Sequence, residues 1–243
     1  MSDLATQVSA SVSGLKDEFN VITHNLANIG TAGFKRRCNK FSKLLAAQGA
    51  GMAEEIGDGF DLESVIDFSQ GGMTETGRRL DFALSGRGFF VIETPEGQLY
   101  TRNGMFRLDQ NGQIVDSAGR TVSGDSGPIT VPPDVSELDI AVGKDGSISA
   151  GGQAIGKFML VEFGEDESKL VAIGTSCYQM PEKIKPEAAV STVVQQGSKE
   201  ASNVQMVEEL VDMLMITRLY EANMKFLSAK KDTSNSILGV AMG

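Results

Sequence analysis

The chain is poor in the residue types on which many enzymes and metal proteins depend. Its 243 residues include no tryptophan, three tyrosines, one histidine and two cysteines. Cys38 and Cys177 stand 139 positions apart, which favours two thiols over a disulfide framework or a zinc cluster. A serine triad would need His24, near the end of a helical stretch, to reach the distant GDSGP segment at 124–128. The sequence therefore predicts no catalytic residue, no bound metal and no cofactor.

Positive charge is also scarce. Lysine and arginine number 22 against 32 acidic residues, which gives a net charge of −10. A nucleic-acid-binding protein needs a concentrated basic face, so nucleic acid is not an expected partner. The one dense group of basic residues consists of Lys35, Arg36, Arg37, Lys40 and Lys43. For this group a solvated face or an inter-subunit contact is favoured over an anion-binding site.

Long apolar runs are missing as well. No segment is long and apolar enough to span a bilayer. The N-terminal sequence MSDLATQVSASVSGLKDEF lacks the basic start and the unbroken apolar core of a cleavable secretion signal. We therefore expect the chain to be soluble, or to leave the cell by a route that its sequence does not display.

Regular apolar spacing near the N-terminus predicts a first helix. Steps of three and four residues connect Leu4, Val8, Val12, Leu15, Phe19, Ile22 and Leu26. This heptad spacing is typical of a helix that packs one apolar stripe against a partner. The helix is predicted over about residues 3–28, with Asn28 near its C-terminal end and with Gly30 and Gly33 breaking it.

A second helix is predicted from about Ser202 onward. Ser202 is a candidate N-cap, and Glu209 follows near the first turns, where the helix dipole favours acidic residues. The residues expected to pack on a partner helix are Val207, Val211 and Leu214. Apolar residues also occupy nearly all the other faces, and one partner helix covers only one face. Either the folded chain surrounds this helix, or neighbouring copies do.

Between the helices the apolar period changes to two. FFVIETPEGQLYTR, FRLDQNGQIVD and LDIAVGKDGSIS each indicate a strand, a turn and a second strand, and glycines punctuate the less regular stretch before them. The predicted divisions are residues 1–34 for the N-terminal helix and its exit turn, 35–79 for an extended connector, 80–198 for a β-rich domain and 199–243 for the C-terminal helix.

This order of elements predicts an α+β fold. Terminal helices with complementary apolar stripes can pair only if the two ends of the chain return to one place. We therefore predict paired N- and C-terminal helices in a coiled-coil domain, plus an inserted, mainly antiparallel β domain joined to it by an extended connector. The surplus apolar surface of the C-terminal helix predicts assembly of many copies.

Two acidic runs offer an alternative of a different class. The carboxylates at 54–55 and 165–167 are candidates for the acid pair of a glycosidase. Both runs read as hydrophilic loops, and the chain has few aromatic rings with which to stack on sugars. A periplasmic module that binds or cleaves peptidoglycan is therefore the alternative, while the favoured prediction is a protein that is not an enzyme.

Four segments, which make up three motifs, carry a resemblance to a known family. NLANIGTAGFKR lies at 25–36, LDFALSGRGFFVIE and YTRNGMFRLDQNGQIVDSAGRTVSG lie at 80–93 and 100–124, and EASNVQMVEELVDMLMITRLYEANMKFL lies at 200–227. In this order they resemble the N-terminal motif, the start of the β domain and the C-terminal motif of the rod and hook proteins, which are axial proteins of the bacterial flagellum.

The resemblance implies a structural subunit of the flagellar basal-body rod. In this family the terminal helices line a hollow tubular assembly that transmits torque and lets export substrates pass. The residues that the resemblance and the heptad spacing place at the assembly interface are Leu15, Phe19, Ile22, Leu26, Val207, Val211 and Leu214. The residues that would shape the turn by which the chain leaves the inner tube are Asn25, Asn28, Gly30 and Gly33.

Partners and location are also implied by the resemblance. The partners are copies of this chain and other flagellar rod proteins, with hook-side or export-gate-side neighbours, in the periplasmic part of the basal body. Export through the flagellar type III apparatus would explain the missing signal peptide. The segment at 127–149 favours the proximal rod, whereas EELVDM at 208–213 and Arg-x-Tyr-Glu at 218–221 point to the distal rod. Both positions stay open, with the proximal rod preferred.

Overall fold

The computed structural model describes the backbone of residues 2–39, 64–181 and 184–242, and the side chains of residues 11–38, 65–181 and 184–229. These residues divide into two compact units. The first unit contains residues 2–27, 37–39, 64–65 and 205–242, and the second contains residues 28–36, 66–181 and 184–204. Residues 40–63 of the predicted connector, 35–79, lie outside the described residues, and the predicted domain boundaries stay a prediction.

One helix lies near each end of the chain and short strands fill most of the middle. Helix α1 spans Ser2–Ala27 and helix α2 spans Met206–Met242. The strands are β1 Arg37–Asn39, β2 Ser64–Ile66, β3 Met73–Glu75, β4 Asp81–Ser85, β5 Phe89–Thr94, β6 Gly97–Thr101, β7 Gly104–Met105, β8 Arg107–Leu108, β9 Ile114–Val115, β10 Thr121–Gly124, β11 Gly127–Pro128, β12 Ile140–Val142, β13 Ser147–Ala150, β14 Gln153–Lys157, β15 Leu160–Glu162, β16 Val171–Ile173, β17 Cys177–Gln179, β18 Glu187–Ala188, β19 Val193–Gln196 and β20 Ser198–Glu200. Short 3-10 helices occupy Glu137–Asp139 and Gly164–Lys169.

The predicted fold class is wrong. The sequence predicts terminal helices paired as a coiled coil around an inserted β domain, but the described chain is mostly β-sheet, with one N-terminal and one C-terminal helix. The α2 residues expected to form the coiled-coil contact are exposed, with 74% of Val207 and 61% of Leu214 accessible to solvent. The physical reason is that α2 is apolar on nearly all of its faces. Heptad counting therefore does not identify the face that a partner covers.

Helix α1 forms where the apolar spacing predicts a helix. It ends at Ala27, and the next residues make a tight turn in which the Thr31 amide donates to the Asn28 carbonyl at 3.0 Å. Ile22 and Asn25 are buried in the last two turns of α1, three positions apart on one face. The buried stripe of α1 thus contains a polar residue that apolar spacing alone does not reveal.

Within the first unit, α1 and α2 contact each other. In the described part of α2 the buried side chains are Glu209 and Ile216, which lie two helical turns apart on one face. This face differs from the one predicted from Val207, Val211 and Leu214. The residues that α2 buries are therefore an acidic side chain and an isoleucine rather than the expected apolar seam.

The second unit is built from antiparallel sheets. Its largest sheet has the path β16-β17-β6-β5-β10-β9-β8, with β15 also paired to β5. Two three-stranded sheets have the orders β12-β13-β14 and β19-β4-β7. A two-stranded ribbon pairs β3 with β20, so that Ser198 faces Glu75 and Glu200 faces Met73. This ribbon joins a segment from before the sheets to the last strand of the unit.

Strand β5 is buried on both faces, which explains its continuous apolar sequence. Successive side chains of a strand point to opposite sides. Phe90 and Ile92 pack in one apolar cluster with residues such as Phe82, while Phe89 and Val91 pack in a second cluster on the other face. Both clusters lie within the second unit, so its core is formed independently of the helices.

Hairpin turns are formed by the dipeptides that the sequence indicates. In the turn between β8 and β9, the Asp109 carboxylate accepts from the amides of Asn111 at 2.8 Å and Gln113 at 2.7 Å. Gly112 has a φ of +76°, a conformation that glycine adopts without steric penalty. Asp109 thus serves as the hydrogen-bonding residue of a turn.

Candidate functional site

The segment that follows α1 enters the second unit through a turn that requires glycine. Gly33 has a φ of +66°, and its amide donates to the Glu200 carbonyl at 2.8 Å. A Cβ at this position would overlap the backbone of Arg102 and Asn103. Gly30, by contrast, has open space around it and no positive φ. Of the two glycines predicted to shape the turn, Gly33 is the one whose lack of a side chain the fold needs.

Two residues after Gly33, a lysine is buried in an ion pair. Lys35 Nζ lies 2.7 Å from Glu200 Oε1, and both side chains are completely buried. The same Nζ donates to the Ser69 carbonyl at 2.7 Å, and the Gly71 amide donates to Glu200 Oε1 at 3.0 Å. Hydrogen bonds of this kind offset part of the desolvation of two buried charges. The pair therefore ties together three distant segments of the second unit.

Arg102 brings a second cation to the same carboxylate. Its Nη1 lies 3.7 Å from Glu200 Oε2 and donates to the Gly86 carbonyl at 2.7 Å. The guanidinium carbon stands 4.8 Å from the centre of the Phe89 ring, within the range of a cation–π contact. Because only 1% of the Arg102 side chain is accessible, its charge depends on these contacts rather than on water.

Burial lowers the pKa of both Lys35 and Arg102. Desolvation lowers the pKa of Lys35, and the neighbouring Glu200 carboxylate opposes that shift. Desolvation likewise lowers the pKa of Arg102, again opposed chiefly by Glu200. Glu200 is thus the anion on which two buried cations depend. Removing one partner of a buried ion pair typically destabilises a protein by about 3–5 kcal/mol, because the other charge is left uncompensated.

Asn203 makes a further link between the same segments. Its Oδ1 accepts from the Arg36 amide at 2.7 Å, and its Nδ2 donates to the Asp67 carbonyl at 2.8 Å. The Asp67 amide in turn donates to the Arg36 carbonyl at 2.8 Å. We call the four residues Lys35, Arg102, Glu200 and Asn203 the closure cluster.

In the first unit, Asn25 has a comparable linking role. Its side chain donates to the Arg37 carbonyl at 2.8 Å and accepts from the Arg37 amide at 2.9 Å. Asn25 Nδ2 also lies 3.2 Å from Glu209 Oε2 in a buried contact. This asparagine therefore joins α1 to β1 and to α2, and an amide suits the position because it both donates and accepts.

The predicted assembly-interface residues occupy three kinds of environment. Ile22 is buried. Leu15 and Leu26 are half-buried. The residues with an exposed side chain are Phe19, Val207, Val211 and Leu214. Whether these residues form an interface between subunits stays a prediction.

No group of histidine, cysteine and acidic side chains in residues 11–38, 65–181 and 184–229 is arranged to hold a metal ion. Within the described part of the chain, neither helix has the length and apolar character needed to cross a bilayer.

Two family models match the chain. The model of the flagellar hook protein FlgE/F/G D1 domain matches residues 83–150, and the model of the flagellar basal body rod FlgEFG protein C-terminal region matches residues 195–240. The first match begins in β4 and ends with β13. The second contains Glu200 and Asn203 of the closure cluster and nearly all of α2. Neither description names a catalytic activity or a glycan ligand.

Similar proteins match over nearly their whole length. The flagellar basal-body rod protein FlgF of Caulobacter vibrioides is 32% identical over 229 residues, which cover 91% of each chain. The chain belongs to the flagellar basal-body rod protein family. A rod protein FlgG of Buchnera aphidicola is 33% identical over 86% of this chain and 88% of the relative, and FlgG of Bacillus subtilis is 29% identical over 94% and 95%. Rod proteins of both the FlgF and the FlgG type are thus similar to it from end to end.

The closure cluster of this rod-family chain was only partly visible in its sequence. Lys35 belongs to the basic group interpreted as a solvated face or an inter-subunit contact, and for Lys35 that interpretation is wrong because it is buried against Glu200. Glu200 and Asn203 lie in the C-terminal motif, but spacing gives no indication of a partner 165 positions away. Arg102 carries no sequence signal beyond its place in a β-domain motif.

The two cysteines and His24 are each at least partly buried. Neither Cys38 nor Cys177 forms a disulfide in the structure. Cys177 is buried, and Arg120 Nη2 lies 2.9 Å from its Sγ. Burial raises the pKa of the Cys177 thiol, against an opposing effect of Arg120. His24 is half-buried in α1, where desolvation and then the nearby Arg37 charge lower its pKa.

Proposed function

We propose that this protein is a structural subunit of the flagellar basal-body rod, which assembles with copies of itself and with other axial proteins into a hollow shaft. The observation that carries the proposal is the end-to-end similarity to rod proteins together with the exposed apolar surface of α2. The large apolar side chains exposed along this helix are Met206, Val207, Leu210, Val211, Leu214, Met215, Leu219, Tyr220, Met224 and Phe226.

Such a surface is typical of a protein that acts as part of an assembly. Isolated exposed apolar residues are normal in soluble proteins, but a contiguous series along one helix indicates an interaction site. Burying apolar surface contributes roughly 25 cal/mol per Å², so a helix with apolar residues on several faces gains most when several neighbours surround it. A tubular arrangement of identical helices supplies such neighbours.

The proposed mechanism is mechanical. Phe19 on α1 and the exposed face of α2 would pack against neighbouring subunits. The shaft would transmit torque while export substrates pass through its lumen. No cofactor takes part, and the reactive groups described above serve to hold the fold.

Within the rod we propose the proximal position, as in FlgF. The segment at 127–149 supports it, and the FlgF relative from Caulobacter vibrioides matches over 91% of both chains. The distal position, as in FlgG, is the alternative because FlgG relatives match over a similar share. In either position the subunit would lie in the periplasmic part of the basal body and would arrive there through the flagellar type III export apparatus.

A clean deletion of the gene tests the proposed function. Cells lacking the protein should be non-motile and should yield basal bodies without a complete rod, and a plasmid copy of the wild-type gene should restore both. Deletion cells that swim normally and contain complete rods would refute the proposal. Secretion of an earlier export substrate should continue in the deletion strain, which separates loss of the rod from loss of the export apparatus.

A further inference from the structure

The second unit is connected to the helices by two short passages of chain. The incoming passage, 28–36, follows directly on α1, and the outgoing passage, 198–204, leads through Gln205 into α2. The chain also passes between the units at 36–37 and at 65–66, and residues 67–72 follow the second of these crossings. Force carried by α1 and α2 would therefore enter the second unit first at the two passages, which are the residues next to the helices.

The two passages are bonded directly to each other. The Gly33 amide donates to the Glu200 carbonyl, Lys35 pairs with the Glu200 carboxylate, and the Arg36 amide donates to Asn203 Oδ1 at 2.7 Å. Backbone, ionic and side-chain hydrogen bonds thus cross between residues that are 165 or more positions apart in sequence. These bonds form a continuous row along both passages.

Both passages are also bonded to a third segment, residues 67–72. Lys35 Nζ donates to the Ser69 carbonyl, Asn203 Nδ2 donates to the Asp67 carbonyl, and the Ala201 amide donates to the Gly72 carbonyl at 2.8 Å. A Cβ on Gly71 would overlap the Ala201 carbonyl, so this segment lies in direct contact with the outgoing passage. The three segments are therefore bonded to one another.

We propose that the closure cluster is a mechanical clamp. It joins the incoming and outgoing passages so that force passes from one to the other across the Lys35–Glu200 pair, without loading the strands of the β core. This inference rests on the proposed function only for the source of the force, the helices of a rotating shaft. The clamp itself is a property of the isolated chain, in which it can be measured without a flagellum.

The chemistry of the cluster suits such a clamp. Buried ion pairs are directional, and losing either partner leaves an uncompensated charge, so the clamp has a closed state and few partly formed alternatives. Neither Lys35 nor Glu200 belongs to the two apolar clusters that contain the β5 side chains, although Arg102 stacks on Phe89 of the second one. Opening the clamp should therefore leave the core strands paired.

Hydrogen exchange on the full-length chain tests the first part of this inference. The variants are Lys35→Met and the near-isosteric Glu200→Gln, and the matched control is Lys157→Met, which removes an exposed lysine 3.8 Å from Asp145. In the first two variants the amides of Gly33 and Ala201 should exchange about 100-fold faster or more, as expected for a broken buried ion pair. The amides of β5 should keep their wild-type protection, and the control should leave both groups unchanged.

Two results would overturn the proposal that the closure cluster is a clamp. If Lys35→Met and Glu200→Gln leave the Gly33 and Ala201 amides protected, the ion pair does not hold the passages together. If the amides of β5 lose protection to the same extent as these two, the cluster is an inseparable part of the core rather than a separate clamp. Because both variants are measured on the purified chain, neither result depends on whether the protein is found in a rod.

Single-molecule pulling tests the mechanical part. Handles attached through Gly30→Cys and Gln205→Cys, in a Cys38→Ser background, would pull on the two passages from outside the cluster. The wild-type chain should show an opening step of roughly 30–50 Å, the length of the freed passages at about 3.5 Å per residue, before the core unfolds. With Lys35→Met that first step should occur at a clearly lower force, whereas the force of core unfolding should not change. Equal first-step forces in the two chains would show that the Lys35–Glu200 pair does not carry the force.

Discussion

Asn25 and Glu209, 184 positions apart in sequence, meet through a buried contact of 3.2 Å between Asn25 Nδ2 and Glu209 Oε2. Asn25 belongs to the segment at 25–36 that resembles the N-terminal motif of the rod family, and Glu209 lies in the region matched by the family's C-terminal model. The contact lies in the first unit, where α1 and α2 touch. The two motifs thus share a polar contact between the helices in addition to their apolar residues.

Replacing Asn25 by alanine should destabilise the first unit. Asn25→Ala removes hydrogen bonds to both backbone groups of Arg37 and to Glu209. Each buried polar group that loses its partner costs about 1–3 kcal/mol, so we expect a loss of at least that size in the free energy of unfolding. Urea unfolding followed by circular dichroism at 222 nm measures it. Asn20→Ala, at an exposed position of the same helix, is the control, and equal stabilities of the two variants would contradict the prediction.

The two motif glycines should respond differently to alanine. Gly33→Ala places a Cβ against the backbone of Asn103 at a left-handed φ, where an L-residue loses about 1–2 kcal/mol before any overlap is counted. Gly30→Ala meets open space and should change stability by less than about 0.5 kcal/mol. Chemical denaturation of both variants measures the difference. A Gly33→Ala protein as stable as Gly30→Ala would show that the turn does not need glycine.

Among the predicted interface residues, buried ones should affect the stability of the isolated chain, and exposed ones should affect its assembly. Ile22→Ala removes a buried side chain and should lower the free energy of unfolding of the isolated chain by about 2–5 kcal/mol. Leu214→Ala removes an exposed one and should leave that free energy within about 0.5 kcal/mol. Leu214→Ala should nevertheless reduce swimming in soft agar, because Leu214 is proposed to pack on neighbouring subunits. Normal swimming at normal expression would count against this role of Leu214.

The two thiols should differ in reactivity. Cys38 is half-buried, whereas Cys177 is buried and its pKa is raised by desolvation, so little Cys177 thiolate forms at pH 8. With a disulfide reagent the native chain should show one fast thiol and one slow thiol, and both should become fast after unfolding. Cys38→Ser should abolish the fast phase. Two equally fast thiols in the native chain would show that Cys177 is not protected.

The same shift predicts a dependence of stability on pH. The folded-state pKa of Cys177 lies above the value in the unfolded chain. Its contribution to stability is therefore fully present below the unfolded-state pKa and is lost as the pH rises through the folded-state pKa. Unfolding midpoints measured in wild type and Cys177→Ala should converge as the pH is raised above about 9, the range in which thiols titrate. A difference that stays constant with pH would contradict this origin.

Much of the local structure could be predicted from the sequence. The heptad spacing from Leu4 to Leu26 identifies α1 because a helix places every third or fourth residue on one face. Dipeptides such as Asn111-Gly112 identify hairpin turns because glycine adopts positive φ. Both signals depend only on neighbouring residues, and both correspond to elements that the structure contains.

The closure cluster and the packed face of α2 could not be predicted in this way. A lysine such as Lys35 within a basic group is usually solvated, and only the fold reveals a carboxylate 165 positions away. On α2 nearly every face is apolar, so periodicity does not distinguish buried Ile216 from exposed Leu214. Both failures concern contacts between distant segments, for which a single sequence contains no spacing rule.

Absolute quantification of this chain in purified flagellar basal bodies tests the central claim most directly. Isotope-labelled peptides from residues 80–198 would be measured beside peptides of the other axial proteins. The account predicts that the chain is present in a fixed ratio to them, at a few copies per basal body in the proximal rod. A markedly larger fixed number would place it in the distal rod instead. Absence from intact, complete basal bodies would contradict the claim that this protein is a rod subunit.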